Sequence, residues 1–175
     1  MKKVLKIVAV VVAVLLVAFL GLRTFTKSKS PQAVVENTHN GLNVKVTYCQ
    51  PYKKGRVIFG GLEPFGKVWR TGANEATIIS FGQDVKVAGK PLPKGDYSLW
   101  TIPGETGWTA ILNKETGQWG TNYDEKQDAL RVPIVSRKHA PMAEQFTMTF
   151  APDSLGTNLV LFWDETEAVV PISKQ

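Results

Sequence analysis

The densest run of reactive side chains is Lys67-Val68-Trp69-Arg70-Thr71-Gly72-Ala73-Asn74-Glu75-Ala76-Thr77. It sets an indole, a guanidinium, an amide and a carboxylate around a Thr-Gly-Ala turn. A guanidinium so placed can fork onto a ligand carboxylate or phosphate. Glu75 can act as acid or base if its surroundings tune it. The plainer account pairs Arg70 with Glu75 and bonds Asn74 to the turn backbone. A second cluster is Gln118-Trp119-Gly120-Thr121-Asn122-Tyr123-Asp124-Glu125. Aromatic faces beside carboxylates and amides build many sugar and peptide sites. The plainer account has Trp119 and Tyr123 pinning a loop to the core. The ligand-binding candidates are therefore Trp69, Arg70, Asn74, Glu75, Trp119, Tyr123 and Asp124. None is assigned a catalytic role.

Other candidates carry less. His39 and His139 are isolated, so a zinc site would draw on three separate segments. Asn122-x-Asp124 with Asp128 lacks the glycine and spacing of a calcium loop. Asp164 and Glu165 read as a polar turn after Trp163. Cys49 is the single cysteine, which excludes an internal disulfide. As a nucleophile it would need a base that no sequence neighbour supplies, so it reads as a small, semi-buried side chain. Phosphate-cradling glycine loops and nucleophile elbows are missing. No metal or cofactor is expected.

The elements that must hold these clusters are strands. Leu42, Val44, Val46 and Tyr48 alternate with polar neighbours at period two. Lys53-Lys54-Gly55-Arg56 is a cationic turn into Val57–Phe59, and Gly60–Gly66 is too punctuated by Gly and Pro for regular structure. Further strands are expected over Val68–Thr71, Glu75–Phe81, Asp84–Ala88, Tyr97–Ile102, Trp108–Asn113, Ala129–Val135, Phe146–Phe150, Asn158–Trp163 and Ala168–Ile172. About ten strands at such spacing indicate an all-β, single β-sandwich-like domain. Only Asp124–Leu130 tolerates helix, and it is short.

The N-terminus differs from the rest. Six of the 21 Lys and Arg residues lie in residues 1–30 and none of the 15 acids does, so the remainder is charge-balanced. A basic stripe for nucleic acid is thereby excluded. Lys2, Lys3 and Lys6 precede the uncharged run Ile7–Leu22, and Arg23, Lys27 and Lys29 follow it. That run is about 24 Å long as a helix, against a hydrocarbon core of about 30 Å. Val4 and Leu5 extend it if Lys6 reaches back to the headgroups. The cleavage options are poor, Thr26-Lys27-Ser28 being the best. The segment reads as an uncleaved anchor, with a cleaved signal sequence as the alternative.

The run Phe59-Gly60-Gly61-Leu62-Glu63-Pro64-Phe65-Gly66-Lys67 through Trp69-Arg70-Thr71-Gly72-Ala73-Asn74-Glu75-Ala76-Thr77 closely resembles a bacterial envelope family, domain of unknown function 2911. Leu92-Pro93, Gly95, Tyr97-Ser98-Leu99, Trp108-Thr109, Ile111-Leu112-Asn113, Gln118-Trp119-Gly120, Tyr123-Asp124, Trp163-Asp164 and Val170-Pro171-Ile172 agree with it. The likeness covers about residues 36–173. Two departures stand out. Tyr48-Cys49-Gln50-Pro51 replaces a common Tyr-Ser-Arg-Pro, so a ligand role for an Arg there is lost, and Ile78 replaces a common Thr. The resemblance implies secretion or anchoring and a β-rich fold, and brings no catalytic residues.

The expected organisation is a cytoplasmic N-terminus (1–6), an anchor or signal segment (7–22), a linker (23–36) and a β-sandwich-like domain (37–175). The expected function is a binding module for a glycan, peptide or envelope protein, held in the membrane through residues 7–22 as a single pass. The domain then faces the periplasm or the outside, or is secreted after cleavage. The rivals are a hydrolase using Glu75 and Asp124 and a ligand-free envelope scaffold.

Overall fold

The computed structural model describes residues 2–175, apart from the side chains of residues 139 and 140. His139, weighed above as a metal ligand, thus lies outside the described side chains. Helix α1 (Lys2–Lys29) is long and apolar enough to cross a membrane, with mean hydropathy 2.9 over its best window. It fits a single-pass anchor or a signal sequence.

Nine strands follow: β1 (Gln32–Asn37), β2 (Val44–Cys49), β3 (Thr77–Phe81), β4 (Val85–Val87), β5 (Lys90–Leu92), β6 (Gly95–Ile102), β7 (Trp108–Asn113), β8 (Asp128–Asp153) and β9 (Gly156–Lys174). All pair antiparallel in one sheet of order β1-β2-β3-β6-β7-β8-β9-β4-β5. The domain is all-β, as the period-two pattern predicts. Its layers come from one sheet folded over a shared core. The 26-residue β8 pairs with β7 through Asp128–Ile134 and then with β9 through Val135–Asp153. Register shifts between Lys138 and Thr147 bend it where it passes from one layer to the other. Tyr48 of β2 accepts a hydrogen bond from the Met148 N–H of β8, 2.8 Å away, across the fold. Residues from β2 to β9 share one core, and Pro91 sits on the edge strand β5, where its missing N–H costs no ladder bond.

Several expectations need correction. The stretch 23–36 is not a free linker: α1 runs on through Lys29, and Gln32–Asn37 is β1. No helix breaker occurs between Arg23 and Lys29, and the Thr24, Thr26 and Ser28 hydroxyls back-bond to carbonyls three or four residues earlier. Pro31 then stops the helix. β1 was hidden because Gln32, Glu36 and Asn37 dilute its apolar signal. Val57–Phe59 and Val68–Thr71 form isolated bridges in place of strands, through Phe59 to Glu63 and Trp69 to Thr101. The paired segments 129–135 and 146–150, and likewise 158–163 and 168–172, merge into single long strands. Asp124–Leu130 yields one 3-10 turn at Glu125–Gln127 before β8 begins.

Candidate functional site

The loop between Trp69 and Ala76 is clamped to the sheet. Trp69 and Thr101 exchange backbone hydrogen bonds of 2.8 and 2.9 Å. The Thr77 hydroxyl donates to the Thr71 carbonyl at 2.7 Å, and the Thr71 and Thr101 hydroxyls lie 3.1 Å apart. Thr71 and Asn74 hold positive φ, 53° and 62°, strain that this bonding sustains. The second loop docks directly onto the first. Glu75 and Trp119 form an antiparallel bridge. Gly120 N–H donates to the Asn74 carbonyl at 2.9 Å, and Arg70 Nη1 donates to the Gly120 carbonyl at 3.3 Å. A Cβ on Gly120 would run into the Arg70 side chain and approach the Asn74 carbonyl to 2.7 Å. Glycine there lets the two loops touch.

The seven candidates divide. Trp69 is core, not surface: it is 2% exposed, packs against Phe59, Trp108, Phe146 and Trp163, and its Nε1 donates to the Gly72 carbonyl at 3.1 Å. Strand geometry explains this, since neighbours 69 and 70 point to opposite sides. Arg70 does not pair with Glu75. The Glu75 carboxylate instead takes Arg23 and Lys27 of α1, at 3.0 and 3.1 Å. Burial alone would raise its pKa; its own backbone N–H and the two cations outweigh that and hold it below the usual carboxylate range. Trp119 is exposed beside α1. Tyr123 tilts against Trp100 and donates to Asp128 at 2.7 Å, while Arg131 donates to the Tyr123 oxygen at 2.7 Å. Burial first, and then Asp128, push the Tyr123 phenol up to about 12. Asp124 is exposed and caps the 3-10 turn by accepting the Lys126 N–H at 3.0 Å. Glu75 and Asp124 are thus each committed to structural bonds, and Glu75 is poised as an ion rather than as a proton donor.

Arg70 leads to a site that the motifs did not reveal. A pocket of about 270 Å³ opens on its side of the loop, with Tyr52, Lys54, Arg56, Glu63 and Trp163 among its walls and Lys29 at its rim. Glu63 is presented by a compact loop: its N–H donates to the Ile58 carbonyl at 2.9 Å and its own carbonyl accepts from Gly60 at 3.0 Å. Burial pushes the Glu63 carboxyl up to about 7, against the pull of Arg70 and Arg56. Arg56 is braced by bonds to the Lys53 and Tyr52 carbonyls, at 2.9 and 2.5 Å. Asp164, expected in a plain polar turn, is bonded to Lys53 and fixes that cationic turn against β9. Two buried donors on residues that line the pocket are left over. Among the described residues Arg70 Nε and Trp163 Nε1 have no hydrogen-bond partner, and Trp163 is only 1% exposed. Such groups cost free energy unless something accepts from them.

Sequence reasoning missed Glu63, Lys54, Arg56 and Trp163 as site residues. Glu63 in a Gly- and Pro-punctuated loop, and the cationic turn before it, were the available signals. Their convergence on Arg70 is a product of the fold.

The family model described as "Protein of unknown function (DUF2911)" matches residues 30–172. The chain belongs to the DUF2911 family. Every pocket residue named above except Lys29 falls inside the DUF2911 match, as do both loops, while α1 lies before it. No curated protein and no solved structure matches the chain.

Proposed function

We propose that this DUF2911 chain is a membrane-anchored binding module whose site is the Arg70 pocket, with α1 as anchor and the β body facing the periplasm or the outside. The ligand is a small polar molecule, or the end of a larger one, that carries an anionic group: an acidic glycan unit or a peptide carboxylate. The observation that carries this reading is the pair of buried, unpartnered donors, Arg70 Nε and Trp163 Nε1, carried by two residues that line a pocket together with Lys54 and Arg56. An anionic oxygen would satisfy such donors with charge-assisted bonds. A carboxyl that is half-protonated near neutrality, Glu63, can donate to or accept from a ligand hydroxyl or amide. A volume of about 270 Å³ suits one sugar ring or one terminal residue rather than a long chain. Glu63 is the one carboxylate among the described residues that line it, which favours binding over a two-carboxylate hydrolase.

The test is calorimetric titration of the full chain in detergent with uronic acids, neutral sugars and short peptides, free or amidated at the C-terminus. Binding of acidic members is expected, with at least a roughly tenfold loss in Arg70→Gln, the size of one charge-assisted bond. Equal binding of the amidated or neutral members, or of Arg70→Gln, overturns the reading.

A further inference from the structure

Beside the pocket, α1 and the body enclose a second, chemically opposite space. We propose that this groove, between Trp119 and the end of α1, takes a lipid acyl chain, so that this face of the body sits in the membrane interface rather than standing off on a tether. The inference rests on the anchor reading of α1 made above and is independent of the Arg70 pocket.

The groove holds about 490 Å³ and is lined by Phe19, Leu22, Arg23, Thr26, Gly117 and Trp119, with Glu75 at its edge. Residues 19, 22, 23 and 26 fall at i, i+3, i+4 and i+7, so one face of the last apolar turns meets the body. That face is latched: Glu75 binds Arg23 and Lys27 at once, 3.0 and 3.1 Å away. Glu75 is in turn bridged to Trp119 through the backbone, which ties the indole to the latch. The join is also short, since only Ser30 and Pro31 separate α1 from β1.

Depth follows from these contacts. Leu22 ends the uncharged run and Arg23 is the first charge after it, so the hydrocarbon boundary falls at this turn. Phe19 lies about one helical turn, roughly 5 Å, deeper. An indole that shares a groove with both Phe19 and Leu22 occupies the boundary itself, where the amphipathic Trp ring is favoured. Arg23, Lys27 and Lys29 lie at headgroup level, and Glu75 neutralises part of their charge. Trp119 is 39% exposed, whereas Trp69, Trp100, Trp108 and Trp163 are 2%, 1%, 4% and 1% exposed. A neighbouring acyl chain explains why this one indole is left uncovered by protein.

The same contrast makes the test selective. The full chain is reconstituted into phosphatidylcholine vesicles carrying bromine either near the headgroup end or near the terminus of the acyl chains. Co-flotation is measured first; a chain that does not float overturns both the anchor reading and this inference. In floating chain, shallow bromine is expected to quench a distinct fraction of the indole emission, deep bromine less, and Trp119→Phe to lose that fraction with unchanged near-ultraviolet dichroism. Glu75→Gln, which loosens the latch, should reduce the shallow quenching at least twofold. If floating chain shows no shallow quenching, or the same quenching in Trp119→Phe, this inference falls while the anchor reading stands.

Discussion

Trp163 lies nearly flat against Trp69, with ring centroids 5.7 Å apart and planes 21° apart, and the same Trp163 ring forms a wall of the Arg70 pocket. Core and site therefore share one side chain, and the two roles can be separated. Trp69→Ala should cost about 3–5 kcal/mol, as removal of a buried aromatic does. Trp163→Phe keeps an aromatic face on Trp69 and deletes the unpartnered N–H. It should unfold at higher urea than Trp69→Ala yet bind acidic ligands at least about tenfold more weakly than the native chain. Urea titration and calorimetry give both readings.

Gly120 is the contact between the two loops. Gly120→Ala places a Cβ against Arg70 and the Asn74 carbonyl. The expected loss is about 1–3 kcal/mol from overpacking, accompanied by displaced Arg70 and weakened ligand binding. Gly107→Ala is the control, because its Cβ would meet only the Ile134 carbonyl at an ordinary 3.7 Å. Urea midpoints of the two variants should differ in that order.

Glu63 couples the fold to pH. Its folded pKa, about 7, stands above its ordinary value of 4.5 because the site is desolvated, with Arg70 and Arg56 pulling the other way and Lys54 and Lys29 on the same pocket. The native state thus holds a proton that the unfolded chain releases between those values. The associated stability is fully present below 4.5 and is lost as pH rises through about 7. Native chain should lose on the order of 2–3 kcal/mol across that window relative to Glu63→Gln, in which the slope flattens. Unfolding curves taken at steps of pH would show it; parallel profiles would refute it.

Asp128 organises the second cluster by accepting from Asn113 at 2.9 Å, Tyr123 at 2.7 Å and Arg131 at 2.6 Å. Asp128→Asn should cost about 1–3 kcal/mol. It should also lower the Tyr123 phenol from about 12, with the part of the shift due to burial remaining. Ultraviolet absorbance titration, read as the difference from Tyr123→Phe, isolates that group.

The strands were legible where one face is wet and the other dry: Val44, Val46 and Tyr48 against Lys45 and Thr47 needed no structure. β1 was not legible, because its burial comes from lying beside β2 rather than from its own composition. The long reach of β8 was masked by Ser136, Arg137, Lys138, Glu144 and Gln145, polar residues at the bend between layers. The contact between the two loops was not legible either, since it depends on Gly120, whose spacing from Asn74 carries no periodic signal. Trp69 looked like a site residue beside Arg70, although period two places such neighbours on opposite sides. Glu63 gained its chemistry from burial in the folded loop, against the pull of Arg70 and Arg56.

The shared strands also set the order in which this protein can be completed. The Tyr48 hydroxyl accepts from the Met148 N–H, 100 residues later, and the ring stacked on Trp69 belongs to Trp163. A ribosome that has released everything through β7 has produced strands that lack the cover Phe146, Met148, Leu161 and Trp163 give their apolar side. The core is complete only once the hairpin of β8 and β9 has emerged.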